Sequence, residues 1–332
     1  MNLDFGKYLC MTCREHLMLA NAAHQEDGSV SEGELVCRDC GVHYPVVGRI
    51  PRFVSVENYA DSFGYQWNIH CKTQLDSYTG LPLSRNRLFA VTGWSKCLKG
   101  QQILEAGSGA GRFTEVLLET GADVISFDYS KAVEANLSNN GKQPNLHLFQ
   151  GDIFKIPLAE KSFDKVVCLG VLQHTPNPEK AFMSLAKFVK PGGELVIDIY
   201  RADILALFHW KYVLRPITMR MDKKSLYRIV AAITPRLIPL AAALRRVGGK
   251  VGARLIPIVE YSYLGLSPDI NKEWAILDTF DMYSPSHDHP QKISTVNRWF
   301  LSAGFINVDV RYGPNGIVGK GWNSVSTNKV RQ

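Results

Sequence analysis

Glu105-Ala106-Gly107-Ser108-Gly109-Ala110-Gly111-Arg112 stands between the strand-like stretch Gln102-Ile103-Leu104 and the helix-like stretch Phe113 to Glu119, and its reading decides the fold. It predicts a strand, a glycine turn and a helix start. Glycines let the backbone turn tightly and approach a ligand, and the amides that open the next helix offer donors to it. Such a loop suits a nucleotide-like cofactor. A glycine turn alone specifies no particular one, so the carboxylates around it have to.

Past the Gly121 helix stop, the strand Val124-Ile125-Ser126-Phe127 ends at Asp128, about 20 residues beyond the glycines, where an acid can grip a ribose diol. That much would also fit a dinucleotide. The third glycine, however, follows the second by two residues rather than three, Arg112 takes the dinucleotide position, and Glu105 stands two residues before the first glycine. A third strand, Leu146-His147-Leu148-Phe149-Gln150, runs into Gly151-Asp152-Ile153 and brings an acid to where an adenine amino group could be read.

This set resembles the class I methyltransferases that use S-adenosylmethionine, of the methyltransferase type 11 kind. The resemblance implies that Glu105, Gly107, Ser108 and Gly109 serve the amino acid end of that cofactor, Asp128 its ribose, and Gly151, Asp152 and Ile153 its adenine. It continues through Ser162 to Leu169 as a fourth strand and the loop Gly170-Val171-Leu172-Gln173-His174-Thr175-Pro176-Asn177-Pro178. Lys190-Pro191-Gly192-Gly193 then turns into a fifth strand, Glu194 to Asp198. The implied fold is α/β, a seven-stranded Rossmann-like sheet with helices on both faces. Residues 99–200 and 291–332 would form this core, with a helix at Thr295 to Ala303 and a closing strand at Phe305 to Val310.

Two pairs, Cys10-Met11-Thr12-Cys13 and Cys37-Arg38-Asp39-Cys40, lie ahead of the core, 23 residues apart. Four thiolates suit tetrahedral zinc, and a module this small gains a core substitute from a structural metal. Two pairs without a thioredoxin-like pattern favour metal over redox use, and His43 is read as a neighbour of the site. Residues 1–55, above all Gly33 to Pro51, resemble the small zinc-ribbon activators of tRNA and translation-factor methyltransferases. That likeness implies scaffolding in cis. Its layout is also similar to that of ribosomal RNA guanine methyltransferases with an amino-terminal zinc module, which keeps an RNA substrate in view.

Residues 56–98 carry too many large side chains for a linker and predict a helical connector that closes over the cofactor, with Trp67 and Gln74 as contacts. Residues 201–290 predict a helical substrate lid, with helices at Leu226 to Ile233 and Ile238 to Val247 broken by Pro235, Pro239 and Gly248-Gly249. The formal charge of +7 is uneven: from Arg201 to Val259 twelve Lys or Arg face two acids. That segment reads as a solvated lid, an RNA-binding face, or a face for an anionic or lipid-linked substrate or membrane surface, the last favoured over RNA. No apolar stretch reaches the 18 or so uncharged residues of a spanning helix, and Met1 to Phe5 lacks the features of a signal peptide, so the expected location is cytoplasmic with no transmembrane segment.

A methyl sulfonium is already activated, so a transferase needs mainly to align a nucleophile and, for a hydroxyl, to remove its proton. His174, beyond the fourth strand, is the first candidate base; His287 and His289, beside Ser-Pro and His-Pro turns, are the second. The expected activity is O-methylation of a small-molecule or sugar-like acceptor in a glycan or secondary-metabolite pathway. An RNA methyltransferase and a non-catalytic cofactor-binding subunit are the alternatives. The Asn/Asp-Pro-Pro-aromatic motif of many amino-group methyltransferases is replaced by Gln173-His174-Thr175-Pro176, which argues against a base or amide nitrogen as acceptor.

Overall fold

The computed structural model describes residues 5–24, 30–54, 61–202 and 210–324, with the backbone alone at 61, 62, 63 and 65. The decisive stretch folds as read: β5 (Gln102–Ala106) enters the glycine turn and α4 (Arg112–Glu119) leaves it. With β6 (Asp123–Asp128), β7 (Leu146–Gln150), β8 (Phe163–Leu169), β9 (Val189–Ile199), β10 (Phe305–Gly313) and β11 (Gly316–Asn323), it builds a seven-stranded sheet in the order β7-β6-β5-β8-β9-β11-β10. All strands run parallel except β11. The order reverses between β5 and β8, and the crevice beyond the carboxyl ends of strands at such a reversal is where open α/β sheets bind ligands.

Helices cover both faces. On one, α6 (Pro178–Ala186) and α10 (Ile293–Ser302) bury Phe182, Trp299 and Phe300; on the other, α3 (Leu83–Thr92), α4 and α5 (Ala132–Asn140) bury Leu88, Phe113, Val116 and Val133. Two strands depart from the sequence reading. β9 begins at Val189, so Lys190 to Gly193 form a register irregularity inside the strand rather than a turn before it. β11 has no counterpart in the expectation, because its glycines hide its strand character. A Cβ at Gly319 or Gly321 would stand 2.6 or 2.9 Å from the Phe300 ring, so these glycines admit α10 against the sheet.

The amino-terminal residues form a separate four-stranded antiparallel sheet, β1 (Leu17–His24), β2 (Val30–Cys37), β3 (His43–Val47) and β4 (Ile50–Pro51). It docks on the edge of the large sheet: Phe53 N donates to the Gln150 carbonyl at 2.8 Å, and Arg52 Nη1 to the Gln150 side chain at 2.9 Å. Arg14 donates to the Ile156 and Leu158 carbonyls. Tyr8, Phe53 and Phe149 pack ring on ring in a core common to both sheets. The otherwise open edge strand β7 is thereby covered.

The connector is helical, with α1 (Asp61–Ile69) and α2 (Asp76–Thr79) ahead of α3. The insertion holds α7 (Trp210–Thr218), α8 (Lys223–Ala253) and α9 (Pro268–Tyr283). Of the expected breaks, the one at Gly248-Gly249 is present and those at Pro235 and Pro239 are not. Pro235 and Pro239 sit inside one helix, and non-helical angles arise only at Gly249 (φ 57°, ψ −143°). Leu226 and Val230 pack with Ile276, Phe280 and Tyr283 of α9, and Thr234 and Ala241 are buried further along. Contacts on both sides of the prolines hold the helix through the two amides it lacks. By length and composition α8 could cross a membrane, contrary to the expectation that no segment would; only Arg228 and Arg236 interrupt the apolar run from Leu226 to Leu244.

Candidate functional site

A cavity of 770 Å³ opens at the sheet's reversal, within the range of small-molecule sites. Gly107, Ser108 and Gly109 line it. All three glycines of the turn have positive φ, at 76°, 55° and 89° for Gly107, Gly109 and Gly111, a backbone that L side chains rarely adopt. A Cβ at Gly107 would meet Val171 at 2.4 Å, and one at Gly109 would meet Trp67 at 3.3 Å. The turn's own amides are engaged: Gly107 and Ser108 donate to the Phe127 carbonyl and Gly109 donates to Asp128 Oδ2 at 2.9 Å. The glycines therefore supply space. Polar capacity comes instead from Ser108 Oγ, buried and without a hydrogen-bond partner among the described residues, and from the first amides of α4, which no side chain caps.

Asp128 ends β6 in the cavity wall. Its Oδ1 accepts from Ser130 N and Oγ at 2.8 and 2.7 Å, which fixes the carboxylate while leaving lone pairs for a ligand. Gly151, Ile153, Trp67 and Gln74 also line the cavity. Two of the sequence candidates do not. Asp152 Oδ1 accepts from Phe154 N at 2.9 Å in a local turn, and Glu105 lies behind the glycine turn, where Thr114 and Ser126 hydroxyls donate to its Oε2 at 2.5 and 2.8 Å. Burial pushes Glu105 up to about 7.

His174 sits in a short 3₁₀ turn after β8, lines the cavity and is 8% exposed. Its Nδ1 lies 3.1 Å from the His287 carbonyl, so that nitrogen carries the proton and Nε2 is the basic one. Burial pushes its pKa down to about 4, which keeps the ring neutral. His287 and His289 are not among the cavity's lining residues. Their rings stack on each other at 5.7 Å, and His287 enters the site through its backbone, by the bond to His174.

The remaining wall comes mainly from the insertion expected as a lid, but through residues that were not named as site residues. The insertion contributes Lys211, Tyr261, Trp274, Asp278 and Asp281, and β9 is followed by Tyr200. Asp278 accepts from Gln74 at 3.1 Å and Trp274 Nε1 at 3.1 Å, and from the Tyr261 hydroxyl; Asp281 accepts from Gln66 at 3.4 Å. Burial pushes both acids up to about 6. Arg112 is held by Ser84 and Gln74 over the Phe113 ring, and burial lowers it to about 10. The signal in the sequence was the crowding of acids and aromatics in Asp278 to Tyr283, which forms the last turns of α9.

Outside the cavity, the four sulfurs of Cys10, Cys13, Cys37 and Cys40 lie within 4.8 Å of one another, with Cys10 to Cys40 at 3.4 Å and Cys13 to Cys37 at 3.3 Å. Tetrahedral coordination at about 2.3 Å separates sulfurs by about 3.8 Å, so the four can hold one metal ion. Both pairs turn alike: Arg14 N and Gly41 N each donate at 3.0 Å to the first cysteine's carbonyl, and both residues have positive φ. His43 instead meets Glu34 at 3.2 Å.

Residues 104–197 match the family described as "Methyltransferase domain". The chain is 33% identical over 114 residues to a ubiquinone biosynthesis O-methyltransferase of Coxiella burnetii, 34% of this chain and 49% of that protein. It is 31% identical over 129 residues to a demethylmenaquinone methyltransferase of Renibacterium salmoninarum, 38% of this chain and 54% of that protein. It thus spans about half the length of the curated relatives it matches. A solved structure of an O-methyltransferase family protein from Burkholderia thailandensis is similar with a TM-score of 0.46 and 12% identity, over 82% of this chain and 66% of that one. Residues 104–197, the part that matches a methyltransferase domain, lie within the seven-stranded Rossmann-like sheet.

Proposed function

We propose that the protein is an S-adenosylmethionine-dependent methyltransferase acting on an oxygen of a small, quinone-like ring acceptor. The observation that carries the reading is the cavity's division. One part of the lining is the glycine turn with Asp128 and Ser108; another, from the insertion and Tyr200, is aromatic with two acids; His174 lies between them in chain order, on the loop after β8. Asp128 and Ser108 would hold the cofactor's polar groups, with Trp67 and Ile153 as its apolar walls. The cofactor, when bound, supplies a methyl group already activated for transfer. The aromatic wall favours a flat ring over a sugar, and the names of the relatives point the same way. His174 Nε2 takes the acceptor's hydroxyl proton, while the His287 carbonyl holds the imidazole in the tautomer that can accept it.

The four cysteines are proposed to bind one structural zinc, since all four positions would be filled by protein. Metal analysis should find about one zinc per chain, lost in Cys37→Ser with a fall in melting temperature.

The test of the activity is calorimetry with S-adenosylmethionine and S-adenosylhomocysteine, then incubation with hydroxylated quinones and with sugars, read by mass. Asp128→Ala should cost about 2 to 3 kcal/mol of cofactor binding, because a fixed carboxylate loses charge-assisted hydrogen bonds. Binding of neither cofactor form, or unchanged affinity in that variant, overturns the reading. Methylation of a sugar and not a quinone would keep the activity and replace the acceptor.

A further inference from the structure

We propose that α8 lies in the plane of an anionic lipid surface and holds the mouth of the cavity against it. Ten of the eighteen large apolar side chains exposed among the described residues fall between Trp210 and Leu255. They are not scattered. Ile229, Ile233, Leu240 and Val247 follow one another at steps of four, seven and seven residues, which at 3.6 residues per turn is a single stripe. Leu226, Val230, Thr234 and Ala241 form a second stripe, buried toward the protein. Lys224, Arg228 and Arg246 form a third, exposed and without ion pairs among the described residues. The three stripes are spaced by about a third of a turn around the helix.

That arrangement selects the occupant. Exposed isoleucine and leucine beside unpaired lysine and arginine match a headgroup layer, where apolar side chains enter the acyl boundary and cations meet anionic lipid. A nucleic acid would use the cations and leave the apolar stripe in water. A spanning orientation would expose the rest of the fold to hydrocarbon, because the buried stripe is fixed to Ile276 and Phe280 of α9. The helix also leads directly to the cavity: Arg254, which follows its last residue, and Tyr263 are both exposed and line the cavity, as do Val259 and Tyr261 between them. An acceptor dissolved in the bilayer would reach the aromatic wall without crossing water. The docking itself rests on α8 and holds whichever acceptor the cavity takes.

The test is sedimentation of the purified full chain with phosphatidylcholine vesicles, with and without phosphatidylglycerol, across a salt titration. Binding to the anionic vesicles, weakening as salt rises, is expected. Ile233→Asp with Val247→Asp should reduce it about tenfold or more, with melting unchanged because both positions are exposed. Lys224→Glu with Arg246→Glu, which leaves the apolar stripe whole, should reduce both the binding and its salt dependence. No binding to anionic vesicles, binding that both pairs leave intact, protein released from the vesicles by detergent but not by salt, or tight RNA binding in place of vesicle binding would each overturn the proposal.

Discussion

His174 and the two acids that α9 brings to the cavity can be separated by pH. A neutral imidazole whose pKa is held near 4 by burial stays basic across the working range, so it cannot produce a loss of rate near pH 6. Asp278 and Asp281, both pushed up to about 6 by burial, with the charge of Asp281 also raising Asp278, can. We expect kcat/KM to fall as pH drops through about 6, and Asp281→Asn to move that fall lower, because Asp278 then loses a neighbouring negative charge. His174→Ala should lower turnover about a hundredfold with cofactor affinity nearly intact, and equal losses in both would make it a loop-shaping residue. Glu105 gives a stability counterpart. Its folded pKa, about 7, lies above the ordinary 4.5, so the folded state binds the extra proton and stability is lost as pH rises from about 4.5 through 7. Glu105→Gln should therefore gain on the wild type with rising pH, by an amount on the order of 3 kcal/mol at pH 8. Melting curves of the two proteins from pH 5 to 8 measure it, and a constant difference would mean that Glu105 is ionised throughout.

At the scale of elements, legibility followed how local the signal was. The glycine turn, Asp128 and strands β5 to β8 were readable because each is a short apolar run ended by a residue with one conformational purpose. β11 was not, since its glycines answer to Phe300 on another element, and neither was the continuity of α8 through Pro235 and Pro239, where packing on α9 outweighs two prolines. Asp278 and Asp281 were not singled out, because nothing local to them says that α9 faces the cavity. The contact of Phe53 with the large sheet belongs to the same class of non-local fact. Its ring packs on Tyr8, Tyr44 and Phe149 and is 4% exposed. Phe53→Ala should cost about 3 kcal/mol or more by removing a buried ring whose surroundings span two sheets. Denaturant unfolding would show it as a lower midpoint. A midpoint close to that of the wild type would mean the two sheets pack independently.

Over the whole molecule, the cysteine cluster and the cavity are joined by one run of contacts. Cys10 Sγ lies 3.6 Å from the Tyr44 hydroxyl, Tyr44 packs on Phe53, Phe53 on Phe149, and Phe149 stacks at 4.9 Å on Phe127, which lines the cavity beside Asp128. Edge strand β7 takes the Phe53 amide in the same place. A metal on the four cysteines would thus stabilise more than its own module, because the small sheet has too little core of its own and shares the one beneath the glycine turn. We expect chelation, or Cys37→Ser, to lower S-adenosylmethionine affinity about tenfold and to speed amide hydrogen exchange in β7, while exchange in α9 stays slow. The pairing of the two readouts matters: loss of affinity with β7 still protected would place the metal's effect elsewhere, and unchanged affinity with β1 to β4 unfolded would show that the cavity wall stands without the module.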